Sequence, residues 1–157
     1  MASKDRHFHV GGANRGVFLV DVDGVEVGRF TECQGLEVEV EVETFTEGGV
    51  NGFEHKLPGR MSWPNLVLKR GLTIDNKIFE WFHEAAGNKP AGTGKTTRGT
   101  MGITILNSLG EPLRTWRVYD AIPVKWTGPE LANSDDDIPT EELEVAHHGF
   151  ESETLAK

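Results

Sequence analysis

One loop of this chain carries the residue types of a nucleotide site. Lys89-Pro90-Ala91-Gly92-Thr93-Gly94-Lys95-Thr96 has the spacing of a phosphate-binding loop, except that Lys89 stands where the first glycine belongs. Such a loop binds phosphate when a strand precedes it and a helix follows it, because amides at the helix N-terminus then surround the phosphate oxygens. Here the predicted order is reversed, since a helix precedes the loop and a strand begins near Met101. We therefore predict a surface loop in which Lys95 has no nucleotide role.

Two acidic segments have the residue types of a cation site without its spacing. Asp21-Val22-Asp23-Gly24 is not followed by the acid or amide at the fifth position that a calcium loop requires, and its glycine comes too early. It is typical of a hairpin turn instead. Asp135-Asp136-Asp137 is a single acidic run, which usually lies on a solvated loop.

The histidines are not spaced as metal ligands or catalytic bases. His147 and His148 are adjacent, so on a strand they point to opposite faces and cannot chelate one ion together. His83 stands beside Glu80 and Glu84 on a predicted helix, a pattern typical of ordinary surface pairs. We therefore predict no catalytic residue, no metal and no cofactor.

Composition narrows the class of protein further. The chain has 157 residues, enough for one domain with its own core, and a formal net charge of −9. This charge argues against nucleic acid bound at the surface, because phosphate binding needs basic clusters. The single cysteine, Cys33, suits a reducing compartment. No apolar segment has the length of a signal peptide core or a membrane span. We therefore expect neither Sec-dependent export nor membrane insertion.

The spacing of apolar residues predicts a mainly β domain. Asp23-Gly24 between two alternating segments predicts a hairpin, and residues 1–14 are predicted to be a flexible arm. A β-barrel or sandwich of about seven strands with one helix over an open end is the natural arrangement. The predicted strands are Val17–Val22, Val25–Phe30, Leu36–Glu43, Leu66–Gly71, Met101–Leu106, Leu113–Tyr119 continued by Ala121–Trp126, and Glu142–Phe150.

Strict alternation from Leu36 to Glu43 predicts a strand with one apolar and one acidic face. We expect the valines to pack on the subunit's own core and the carboxylates to face water. The acidic set is Glu37, Glu39, Glu41 and Glu43.

A change of apolar period predicts one amphipathic helix. Thr73 or Asp75 can cap its start, and Gly87 can end it. Its apolar stripe should bury against the sheet, with Ile78, Trp81 and Phe82 as the main anchors. The complete stripe is Ile74, Ile78, Trp81, Phe82 and Ala85.

The segment Thr46–Ser62 is rich in glycine and is predicted to be a long loop. Loops of this length inside a domain are usually functional or form interfaces. Its apolar residues would be partly exposed on a lone subunit, so we expect an assembly contact here. The candidate residues are Gly48, Gly49, Phe53, Leu57 and Met61.

Several short motifs, taken in order, resemble the tube proteins of contractile phage tails and related contractile injection systems. The resemblance covers about residues 15–150, and each motif is weak alone. The motifs are Gly35-Leu36, Glu47-Gly48-Gly49, Leu57-Pro58-Gly59, Trp63-Pro64-Asn65-Leu66-Val67-Leu68-Lys69-Arg70-Gly71, Trp81 on the helix, Ala121-Ile122-Pro123-Val124-Lys125-Trp126 with Gly128-Pro129, and Glu142-Leu143-Glu144-Val145-Ala146-His147.

The resemblance implies a non-enzymatic structural subunit that forms hexameric rings stacked into a hollow tube. Residues 15–150 would be the tube-forming domain and 151–157 a C-terminal tail. The implied partners are further copies of the chain, a sheath protein, baseplate or spike and terminator proteins, and cargo in the lumen, which the four glutamates would line. The subunit would assemble in the cytoplasm and become part of a phage tail or tail-like particle, released by lysis.

Three alternatives stay open at this point. A ring protein of type VI secretion has a related fold, and a monomeric β-barrel binding module would share the composition. An ATPase rests only on the loop at 89–96. The sequence does not distinguish a phage tail from a non-replicating injection device, nor does it name the cargo.

Overall fold

Ten β-strands and one α-helix make up the part of the chain that the computed structural model describes, residues 16–49, 52–87, 98–129 and 138–153. The predicted arm, the loop at 89–96 and the acidic run at 135–137 lie outside these ranges. In chain order the elements are β1 Val17–Val22, β2 Val25–Phe30, β3 Glu32–Gln34, β4 Glu39–Phe45, β5 His55–Ser62, β6 Leu66–Gly71, α1 Lys77–Ala85, β7 Gly99–Leu106, β8 Pro112–Thr127, β9 Thr140–Ala146 and β10 Phe150–Glu153.

Eight strands form one antiparallel sheet in the order β2-β1-β7-β8-β9-β6-β3, with β10 paired to β8. The two ends of this order are neighbours in the chain, because only Thr31 separates β2 from β3. The Thr31 amide donates to the Lys69 carbonyl oxygen on β6 at 2.8 Å. The segment 25–34 thus pairs with β1 through its first half and with β6 through its second, which curls the sheet into a barrel.

The first hairpin has the turn that its sequence predicts. Asp23 and Gly24 both have positive φ angles, 51° and 82°, which match the right-handed twist of the flanking strands. The bounds of β1, β2 and β6 agree with the predicted strands.

The barrel interior is filled by aliphatic and aromatic side chains from β1, β2, β6, β7, β8 and β9. On β6, Leu66, Leu68 and Arg70 alternate inward, as the period of a strand requires. The fully buried core consists of Val20, Phe30, Leu66, Leu68, Ile78, Met101, Ile103, Val118, Ala121, Leu143 and Val145.

The helix packs against β8 and β2, and so covers part of the barrel as expected. Ile78, Trp81 and Ala85 are buried, and Phe82 packs partly against the core. The prediction was wrong for Ile74, which precedes the helix and is fully exposed. Asp75 stands just before the helix, where its Oδ1 accepts from the Lys77 amide at 3.0 Å.

Other predicted strand bounds differ from the structure. The acidic strand begins at Glu39 rather than at Leu36, and the last predicted strand, 142–150, ends at Ala146. The predicted loop 46–62 contains β5, because Pro58 and Gly59 interrupt the apolar pattern without ending the strand. The predicted continuation of Leu113–Tyr119 by Ala121–Trp126 is confirmed, because β8 runs through Asp120, whose φ of 51° bends it. β10 occupies residues 150–153, so the first part of the predicted C-terminal tail is a paired strand.

Candidate functional site

The most unusual surface of the subunit is the two-stranded sheet formed by β4 and β5, here called the ribbon. It is separate from the barrel sheet, and every residue of both strands is exposed. A two-stranded ribbon is marginally stable in water by itself, since it has no third strand or helix to pack on. The ribbon is therefore the part of the chain that most needs a partner.

Strand pairing gives the ribbon two chemically different faces. Val40 is paired with Met61 and Val42 with Pro58, and the register shifts by one residue between these pairs. Gly59 and Arg60 together oppose Glu41, which is the pattern of a β-bulge. The valine face carries Val40, Val42, Thr44, Lys56, Pro58 and Met61, and Val38 precedes it on the same alternation. The glutamate face carries Glu39, Glu41, Glu43, Phe45, His55, Leu57, Arg60 and Ser62.

The valines do not pack on the subunit's own core, so that prediction was wrong. Val38, Val40 and Val42 are 51%, 38% and 56% exposed. The physical reason is that β4 pairs with β5 rather than with the barrel, which leaves both ribbon faces open to solvent. The four glutamates are exposed as well.

The five assembly candidates lie at the tip of the ribbon or along β5. Gly48 and Gly49 form a turn after β4, and Gly49 has a φ of 99°. Phe53 is exposed and contacts the His55 ring edge to face, with 5.1 Å between centroids. Leu57 and Met61 are exposed too, but the bulge places them on opposite faces of the ribbon.

The ribbon leaves the barrel at a tightly packed junction, here called the ribbon root, formed by Gly35, Trp63, Pro64, Asn65 and His147. A side chain at Gly35 would come within 2.2 Å of the Asn65 carbonyl oxygen. The ring of His147 lies 2.9 Å from the Pro64 carbonyl oxygen. Asn65 in turn donates to Glu144 on β9 at 2.8 Å. Sequence patterns did not indicate these contacts, because they join segments far apart in the chain.

A buried ion pair lies inside the barrel. Arg70 on β6 faces Glu141 on β9 in register, and their side chains are 4% and 5% exposed. The Trp126 indole donates to Glu141 Oε2 at 3.1 Å, and the Arg70 guanidinium lies over the Phe30 ring. A Cβ at Gly28 would clash with Arg70 Nη1, so any larger residue there would displace the buried guanidinium. The pair links β6 to β9, two strands whose other ends reach the ribbon root.

Two further features of the described residues bear on possible chemistry, a polar cavity and a buried thiol. A cavity of about 300 Å³ between β1 and β8 is lined by Asp21, Arg117 and Glu153 among others, and burial raises the pKa of Asp21. Burial also raises the pKa of Cys33 to about 11, so this thiol stays protonated at neutral pH. The described ranges contain no cluster of three or more potential metal ligands. No helix within them is long and apolar enough to cross a membrane.

Comparison with known proteins bears on what the ribbon is for. Residues 15–151 match the family model described as T4-like virus tail tube protein gp19. No curated protein sequence matches the chain.

Solved structures have the same fold at low sequence identity. A chain from the sheath-tube complex of PVC, an extracellular contractile injection system in its extended state, has a TM-score of 0.73 and 21% identity, over 99% of this chain and 100% of that one. A chain from the tube-terminating cap of the anti-feeding prophage has a TM-score of 0.70 and 23% sequence identity, over 92% of this chain and 91% of that one. A type six secretion system protein has a TM-score of 0.52 and 9% sequence identity, over 87% of this chain and 82% of that one.

Proposed function

We propose, since the chain belongs to the family of the T4-like virus tail tube protein gp19, that its copies close into hexameric rings that stack into a hollow inner tube. The chain is a structural subunit of such a tube, and it is part of a phage tail or a tail-like particle. Its role there is mechanical rather than catalytic.

One observation carries the proposal, namely the ribbon exposed on both faces. A ring of subunits would bring ribbons side by side and pair their outer edges, which removes the aggregation hazard of free strand edges. The exposed valine face would then be covered by neighbouring copies. Burying apolar surface contributes about 25 cal/mol per Å², so several exposed valines per subunit favour association.

The glutamate face is the better candidate for the channel wall. Carboxylates are costly to bury without partners, and a water-filled channel keeps them hydrated. Glu39, Glu41 and Glu43 outnumber Arg60 on this face, so the wall would be acidic and would repel DNA and acidic cargo. Glu37 precedes β4 on the same alternation and would extend the acidic lining towards the ribbon root.

The tip of the ribbon would contact the next ring of the stack. Gly48, Gly49 and Phe53 lie at the end farthest along the ribbon from its root, where the next ring of a stack would be met. The implied partners beyond self-assembly are the sheath on the outside, and baseplate, spike and terminator proteins at the tube ends. Chains of similar fold come from a sheath-tube complex, a baseplate, a cap and a terminator, which supports this set. Cytoplasmic assembly and release by lysis belong to the same proposal.

A charge placed on the valine face tests the proposal. Purified wild type should form rings or tubes in negative-stain images, whereas Val42→Lys should remain a folded monomer, because assembly would bury an unpaired ammonium group. Val25→Lys is the matched control, since Val25 is an exposed valine on the barrel, away from the ribbon. Circular dichroism should be the same for all three proteins.

Two results would count against the ring. Normal tubes from Val42→Lys would show that the valine face is not an interface. Wild type that stays at the mass of one chain at every concentration would favour the monomeric binding module instead.

A further inference from the structure

We infer that His147 is a pH-sensitive latch that fixes the direction of the ribbon, and that its protonation prevents ring assembly. The inference rests on the proposed function, because it assigns a regulation to the same ribbon. It is a positioning role, since His147 lies on the barrel in the turn between β9 and β10 and acts through the ribbon root.

The two partners of the imidazole determine its protonation state. The Gly149 amide donates to Nδ1 at 3.0 Å, and a backbone N–H can only be a donor. The Pro64 carbonyl oxygen lies 2.9 Å from Nε2, and a carbonyl can only accept. Both bonds exist together only when the ring is neutral, with its hydrogen on Nε2. A second hydrogen on Nδ1 would face the Gly149 N–H and break that bond.

The ring has no free space in which to turn away. His147 is 9% exposed, and it lies beside Trp63 and Phe150, with ring centroids 6.3 and 6.1 Å away. Gly149 has a φ of 124°, and a Cβ there would come within 3.0 Å of the Trp63 indole. Protonation would therefore disturb the whole turn and the indole packed on it.

The disturbed contacts are those that hold the second strand of the ribbon. Trp63 and Pro64 follow β5 directly, so the hydrogen bond from His147 fixes where the ribbon leaves the barrel. Six-fold closure of a ring needs the same ribbon direction in every subunit. A loosened root would spread the ribbon over many directions and raise the entropy cost of assembly.

Other titratable groups on the neighbouring elements have their own partners or lie in solvent. Glu144 on β9 accepts from Asn65, and His148 in the same turn contacts Asp120 and Arg98. Glu151 on β10 accepts from Tyr119. Glu37 and Glu39 line an open cavity with Trp63 and Pro64.

The test measures tube assembly by light scattering and negative-stain imaging between about pH 5.5 and 8, which lies within the interval in which histidines change charge. Wild type should form tubes at neutral pH, and the mass of tubes should decrease at least about tenfold on acidification, along the titration curve of one histidine. For His147→Gln the mass of tubes should decrease less than about twofold, because a neutral amide can still donate to Pro64 but gains no charge. His148→Gln, the control in the same turn, should behave as wild type.

A second measurement keeps the inference testable if His147→Gln does not fold. In the wild-type monomer, acidification should raise amide exchange in the peptide 55–65, after correction for the intrinsic rate, and the NMR titration of the His147 ring should have the same midpoint. Equal protection at both ends of the pH range would overturn the inference, as would assembly that is independent of pH or lost equally in His147→Gln. Absence of tubes at every pH would contradict the proposed function, while the monomer measurements would still decide on the latch.

Discussion

Replacing Glu141 should strongly destabilise the barrel, because its carboxylate forms an almost fully buried ion pair with Arg70. Glu141→Leu leaves the Arg70 guanidinium buried without its counter-charge and removes the acceptor of the Trp126 indole. Breaking a buried ion pair by removing one partner costs about 3–5 kcal/mol. For a domain of this size each kcal/mol lowers the melting temperature by about 2–4 °C, so the expected decrease is about 6–20 °C.

The double variant Arg70→Met with Glu141→Leu separates charge from packing. Both ionic groups are then replaced by apolar side chains, and such exchanges are often neutral or stabilising by about 1–4 kcal/mol. Arg70 Nη2 is buried without a hydrogen-bond partner among the described residues, which adds to the desolvation cost that the double variant removes. The double variant should therefore be more stable than Glu141→Leu.

Urea unfolding monitored by tryptophan fluorescence gives the free energies, at a protein concentration too low for assembly. Glu142→Leu is the matched control, because it removes a carboxylate from a partly exposed pair with Lys69 on the same two strands, and it should cost under about 1 kcal/mol. A Glu141→Leu variant within about 1 kcal/mol of wild type would refute the buried-pair argument. A double variant less stable than the single one would mean that Arg70 contributes mainly by packing.

Two further predictions concern the core and the thiol. Trp81→Ala should cost about 3–5 kcal/mol because it opens a cavity under α1. Phe79→Ala should cost less, because Phe79 is 41% exposed and its ring packs edge to face on Trp126. Equal melting temperatures of the two variants would place the Trp81 indole outside the core. Alkylation of Cys33 at pH 8 should be on the order of 100-fold slower than that of a free thiol, because only the thiolate reacts. The rate should increase as the pH approaches the raised pKa of about 11. A rate independent of pH would contradict a buried thiol whose pKa is raised.

The sequence predicts the barrel well where local rules determine structure. The turn at Asp23-Gly24, the alternation in β6 and the helical stripe of Ile78 and Trp81 each have one physical solution, and the structure contains it. Ile74 was assigned to the helix because it continues the period, but periodicity alone does not place a helix start.

The ribbon is where sequence reasoning succeeded only in part. Alternation from Leu36 to Glu43 shows that two faces exist, but it does not reveal what covers them. An apolar face predicts burial, and within one subunit that burial is absent because the covering surface belongs to another molecule. The partner strand β5 was missed because Pro58, Gly59 and the bulge beside Arg60 hide its period. The contacts of His147 depend on tertiary structure, and no local pattern reveals them.

A cryo-EM reconstruction of tubes grown from the purified chain tests directly whether the subunit forms a hollow tube. We expect rings of six copies, with Val40 and Val42 covered by neighbouring subunits and the carboxylates of Glu39, Glu41 and Glu43 facing the channel. A reconstruction in which the valine face of the ribbon stays open to solvent, or in which these carboxylates lie on the outer wall, would contradict this expectation.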